Sequence, residues 1–169
     1  MSATFYICAG VAVIATFMTI TRANAMHALL YLIVSLLAVA VIFYVLGAPF
    51  VAALEVIIYA GAIMVLFVFV IMMLNPGASP DNAPVRAFAG AWAGPSLLGL
   101  IVFVELLRVV MFGSGATAGA TAISPREVAL SLFGPYLVGV ELASLLLLSA
   151  LVGVYHLGRR RQSGAKEER

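Results

Sequence analysis

Three carboxylates stand inside or beside long apolar runs, and these are the first places to look for chemistry. Glu55 precedes the run Val56 to Leu74, Glu105 follows Ala87 to Val104, and Glu141 precedes Leu142 to Leu157. An acid near a bilayer centre costs roughly 2.5 to 3.5 kcal/mol on insertion scales, so each needs a partner, a proton or water. Their surroundings differ. Arg108 lies three residues after Glu105 on the same helical face, so the two neutralise each other and read as an ion pair at the membrane boundary, one that can also touch a neighbouring subunit. Glu55 is close to the end of its run, where an acid suits the positive end of a helix dipole; a plain helix start and a functional acid both fit. Glu141 has no opposite charge within a turn, and Ser144 is its one nearby polar residue on that face. Its favoured roles are carrying a proton or bonding to another helix, and a neutral carboxylic acid would give the same pattern.

Tyr59 follows Glu55 by four residues and projects from the same face, where a phenol can bond the carboxylate or pass a proton through water. Next come Ala60-Gly61-Ala62, a patch without bulk that permits close helix approach in a membrane. Glycine also lowers helix stability by roughly 1 kcal/mol relative to alanine, so a local change of winding costs least here. Met64 to Leu74 is apolar throughout and carries adaptable methionines. His27 and His156 sit at the ends of their runs with no second ligand at metal spacing, and anchoring at the interface is the better reading of both. Cys8, the single cysteine, lies within an apolar run and reads as packing. No phosphate loop, nucleophile motif, haem pair or cysteine cluster is present in the sequence.

The elements that hold these residues follow from composition. Of 169 residues, 64% are apolar and 9% charged, and the mean hydropathy is +1.18, so lipid is the solvent for most of the chain. The nine Lys and Arg are too scattered to track a nucleic acid backbone. A hydrocarbon core takes about 20 helical residues to cross. The sequence therefore predicts an all-α integral membrane protein forming one domain of five transmembrane helices, at about 3–21, 28–46, 51–74, 87–112 and 128–157, with a charged tail at 158–169. No strand pattern with polar lumen positions argues for a barrel.

The first run reads as a span and not a signal peptide, because Arg22 follows the apolar core instead of preceding it. Five spans put the termini on opposite sides. A cytoplasmic C-terminus places Arg22, Arg86 and five tail charges inside against Arg126 outside, so the N-terminus is expected outside. No repeat relates the spans, which counts against an inverted-repeat transporter acting alone. Ser124-Pro125-Arg126-Glu127 has the form of a capping box, so a helix should begin there. Gly134-Pro135 should then kink it or close off a short surface helix before the fifth span.

The run Glu55-Val56-Ile57-Ile58-Tyr59-Ala60-Gly61-Ala62-Ile63-Met64-Val65 and on to Asn75 resembles the third helix of the J subunit of proton-translocating NADH:quinone oxidoreductase, respiratory complex I. Val140-Glu141-Leu142-Ala143-Ser144 and the segment around Asn24-Ala25-Met26-His27-Ala28 are similar to that family as well. The resemblance covers most of the chain and is weakest in the loops and the fourth helix. It implies a membrane-arm subunit of an assembly in the bacterial cytoplasmic (inner) membrane that passes electrons from NADH to quinone and pumps protons outward. This chain would bind no cofactor, while NADH, FMN, iron-sulfur clusters and quinone would belong to the rest of the complex. It would contact the lipid bilayer and the other membrane-arm subunits, and no nucleic acid. In the family the third helix can carry a π-bulge near the positions matching Tyr59 to Val65. Carried over, Tyr59, Gly61 and Val65 would form a gate, with Glu55 and Glu141 in a hydrated proton path or its walls. The short charged tail after Arg161 departs from relatives with longer C-termini. The same helix would serve in a related membrane oxidoreductase or a cation/proton antiporter complex.

Overall fold

A computed structural model describes the backbone of residues 3–74, 85–112 and 122–167, and the side chains of 3–74, 92–111 and 122–159. The expected loops over 75–84 and 113–121, the side chains of Arg86, Arg160, Arg161 and Lys166, and Arg169 lie outside them. Every regular element among the described residues is helical. In chain order these are α1 (Ala3–Thr21), α2 (Ala25–Val45), α3 (Pro49–Leu54), a π-helical segment (Glu55–Ile63), α4 (Met64–Leu74), α5 (Val85–Phe112), α6 (Pro125–Leu132) and α7 (Leu137–Glu167). Among the described residues five stretches are long and apolar enough to cross a membrane: Ala3–Thr21, Ala25–Val45, Pro49–Leu74, Trp92–Met111 and Leu137–Arg159. The chain is thus an all-α protein of five membrane helices. It divides into two compact units, Met1–Ser124 and Pro125–Arg169.

In the first unit, α1 and α2 form a hairpin whose turn is set by Asn24. Its side-chain oxygen accepts the backbone N–H of Met26 at 2.9 Å and of His27 at 3.5 Å, capping two of the amides that a helix start leaves open. This is why α2 begins at Ala25 and not at the expected 28. The core is a seam of small and branched side chains: Cys8, Val11 and Ala15 from α1, Val34, Ala38, Val41 and Val45 from α2, and Val102 and Val109 from α5. Alanine at the crossing lets the backbones approach. A hydroxyl chain crosses the seam. Thr16 and Ser35 hydroxyls lie 2.8 Å apart, and Ser35 donates to the Ala12 carbonyl at 3.2 Å, so both polar groups are satisfied without water. At the other crossing, a Cβ on Gly94 would overlap the Tyr31 phenol oxygen, so glycine is what lets α5 meet α2.

The turn into the third span is a Schellman motif. Ala48 N–H bonds to the Phe43 carbonyl at 3.0 Å and Gly47 N–H to that of Tyr44 at 3.1 Å, with Gly47 at a left-handed φ of 86°. Pro49 follows as the first residue of α3. Ile123 N–H bonds to the Gly47 carbonyl at 2.9 Å and ties this turn to a distant part of the first unit.

In the second unit the stretch bounded at 128–157 is two helices, the short surface helix and fifth span that Gly134-Pro135 allowed for. α6 starts at Pro125, as the capping pattern predicts, and stops at Leu132. A turn follows, closed by Tyr136 N–H to the Ser131 carbonyl at 3.2 Å. A Cβ on Gly134 would come 2.6 Å from the Leu130 carbonyl oxygen, so the chain turns where only glycine fits, next to a proline that cannot continue the ladder. α7 then runs through the tail to Glu167, ten residues beyond the expected end at 157.

Candidate functional site

The third span runs Pro49–Leu74 and changes winding in its first half. α3 lasts six residues, the π-helical segment nine, and α4 the remaining eleven. Val56-Ile57-Ile58 are consecutive β-branched residues, which crowd a regular helical turn and lower its stability slightly. Gly61 removes the other obstacle. A Cβ at Gly61 would lie 3.0 Å from the Val56 carbonyl oxygen, the atom five residues back toward which a π turn directs its hydrogen bond. At the end of the segment Met64 N–H bonds to the Tyr59 carbonyl, again five residues back, and α winding resumes.

Glu55 is the first residue of the π-helical segment and is half-buried. Tyr59 is 49% exposed and Val65 62% exposed, so within this chain much of the segment's surface is open to lipid or to another protein. The segment packs against α2. The expected family bulge at Tyr59 to Val65 and the observed segment at Glu55–Ile63 overlap over Tyr59 to Ile63. Glu55 and Tyr59 share the segment, but no hydrogen bond joins them among the described residues. Beside its start lies an apolar cleft of about 400 Å³, walled by Val41 and Tyr44 of α2, Ala52, Ala53 and Val56 of the third span, and Phe103 of α5.

Glu141 belongs to the second unit. It is exposed on α7, and the Ser144 hydroxyl donates to its backbone carbonyl at 2.7 Å, leaving the carboxyl without a partner among the described residues. The structure therefore places Glu55, Tyr59, Gly61 and Val65 on one span of the first unit and Glu141 on the second unit. Among the described residues no group of three or more His, Cys, Asp or Glu side chains could hold a metal.

Glu105 makes the expected ion pair with Arg108 at 3.1 Å. Sequence reasoning missed its second contact: Thr4 donates to the other carboxylate oxygen at 2.9 Å, across 101 residues. Glu105 is 5% exposed, a buried acid pinning α1 to α5. The signal was present in its spacing, since Val102, Glu105 and Val109 share one stripe of α5 and both valines are core. Cys8 is fully buried beside α5, as packing predicts. His27 meets Trp92 edge to face at 6.2 Å, and its Nε2 is buried without a hydrogen-bond partner among the described residues.

The chain matches the model of a family described as NADH-ubiquinone/plastoquinone oxidoreductase chain 6 over residues 15–157. It is 57% identical over 162 residues to NADH-quinone oxidoreductase subunit J of Pseudomonas aeruginosa, covering 95% of this chain and 98% of the relative. To the Escherichia coli protein of that name it is 47% identical over 165 residues, covering 97% and 90%. A Buchnera aphidicola relative, also so named, is 49% identical over 163 residues, covering 96% and 100%.

Proposed function

The chain belongs to the NADH-ubiquinone/plastoquinone oxidoreductase chain 6 family, and from that premise we propose how it works as a membrane-arm subunit of respiratory complex I: a change of winding in its third span helps couple NADH-to-quinone electron transfer to proton translocation. The electron carriers, NADH, FMN, iron-sulfur clusters and quinone, belong on this reading to other subunits, and the chain's own contribution is to water and protons. Its location is the bacterial cytoplasmic membrane, with other membrane-arm subunits against its exposed faces.

The observation that carries the coupling role is the π-helical segment Glu55–Ile63 with Gly61 opposite the Val56 carbonyl. A π turn holds more residues than an α turn, so returning to α winding turns the flanking parts of the helix against each other by about 100° and lengthens it by about 1.5 Å for each surplus residue. Tyr59 and Val65 lie within and just beyond the segment and would swing with it. Glu55, at its start, supplies a carboxyl that water can reach in one winding and not in the other.

Gly61→Val tests this reading. Its branched side chain meets the Val56 carbonyl and penalises the π turn. NADH oxidation by an artificial acceptor should stay near wild type, because it needs only the soluble arm, while quinone-coupled turnover and proton pumping in membrane vesicles should fall several-fold. Unchanged coupled turnover in fully assembled complex would remove the gating role.

A further inference from the structure

The apolar cleft beside the third span has a floor, a direction and a depth that belong together. Val41 of α2, Ala52 of the third span and Val102 of α5 form the floor and are buried, while Tyr44 and Phe103 stand exposed at the rim. Along α2 the cleft reaches from Leu37 to Tyr44 and along α5 from Gly99 to Leu106, seven residues or about 10 Å of helix in each case. That is about two thirds of one leaflet of a hydrocarbon core about 30 Å thick. Its Tyr44 end lies at the turn where α2 stops at Val45 and the next span starts at Pro49, so the cleft opens at a membrane boundary and runs inward along the helices. Among its lining side chains Tyr44 alone carries a polar atom.

We propose that this cleft is a binding site for one acyl chain of a phospholipid, whose headgroup sits at the Tyr44 end. The site stands whether or not the third span changes winding. Water is a poor occupant, because a buried water needs about two to four polar partners and the floor offers none. Left empty, the cleft would forfeit the dispersion contacts of the side chains around it, so something apolar enters from the membrane. A helix of another subunit is too wide to lie in it. A volume of about 400 Å³ over about 10 Å leaves a section of about 40 Å², about half that of a helix 10 Å across. An extended hydrocarbon chain is thin enough, is what the surrounding lipid supplies, and lies along the spans as the cleft does. At the boundary the Tyr44 phenol can donate to an ester or phosphate oxygen of the headgroup. Packing within the chain does not account for the space. A Cβ at Gly99 would meet Val34 at 3.7 Å, an ordinary contact, so that wall could carry a side chain and instead leaves the cleft open.

The test uses the intact complex, with the photo-cross-linking residue benzoylphenylalanine replacing Phe103, which is 55% exposed at the rim and so has room for it. Illumination in native membranes should give this chain an adduct with the mass of one phospholipid. The adduct should persist when the complex is solubilised and washed in excess detergent before illumination, because a seated chain exchanges slowly and bulk lipid does not stay. An adduct to another subunit would show that protein fills the cleft, and an adduct to quinone would show a different hydrocarbon tail there; either overturns the proposal. So does the absence of any adduct, or one that the wash removes. Filling the cleft from opposite walls gives a second reading. Ala53→Phe and Gly99→Leu, each combined with the photo-cross-linker, should lower the lipid adduct several-fold. An undiminished adduct in both would place the lipid outside the cleft and overturn the assignment. Should neither filled variant assemble, persistence through the wash decides.

Discussion

A carboxylate with two donors behaves differently from one held by a cation alone, and Glu105 is of the first kind. Its Thr4 bond is at the buried side, while Arg108 has a side chain 56% exposed. An ion pair with so exposed a cation contributes about 0 to 1 kcal/mol, whereas stripping a hydrogen bond from a buried acceptor costs about 1 to 3 kcal/mol. Thr4→Val should therefore lower the thermal stability of the purified complex more than Arg108→Ala does. Melting curves in the same detergent decide it, and the reverse order would mean that the ion pair is the stronger tie. The Glu105–Arg108 pair was legible in the sequence because both partners lie on one helix. The Thr4 bond was not, because pairing across 101 residues depends on how two helices cross.

At the level of elements, hydropathy located all five spans because a run of apolar side chains is a local property. What it missed is equally local but of another kind. Asn24 starts α2 three residues early through side-chain capping, whereas the break at Gly134-Pro135 was legible from the residues themselves. α7 runs on through Arg159-Arg160-Arg161-Gln162 to Glu167, where most residues are good helix formers that hydropathy ignores. The π winding has no periodic signature at all, since nearly every residue around Gly61 is apolar on all faces; the low helix propensity of Gly61 and the resemblance to a family were what pointed there. Packing between elements yields its own prediction. Gly94→Ala should destabilise the α2–α5 contact by about 1 to 3 kcal/mol through overpacking against Tyr31. Tyr31→Phe removes the clashing oxygen, so the double variant should recover part of that loss in a double-mutant cycle read by thermal melting. Strict additivity would mean that the clash is relieved elsewhere.

For the molecule as a whole, the distribution of Lys and Arg sets a direction across the membrane, a proposal that reporter fusions can check. A cytoplasm-active reporter at the C-terminus should be active and one at the N-terminus silent, and the opposite pattern would invert every inside and outside assignment above. The two tethers at the Gly47 turn, its Schellman bonds and the hydrogen bond from Ile123, bear on motion as well as on the path of the chain. They make that end of the third span a fixed bearing. If the wide turn rewinds as proposed, the α3 side is held, and the displacement has to appear on the far side, where Phe67, Phe69 and Met72 are all largely exposed. The span would then work as a crank with one journal clamped, sending rotation one way along its axis. Spin labels at Ala53 and Phe69 compared between resting and turning-over complex should reveal that asymmetry, and equal movement at both would show the bearing to be loose.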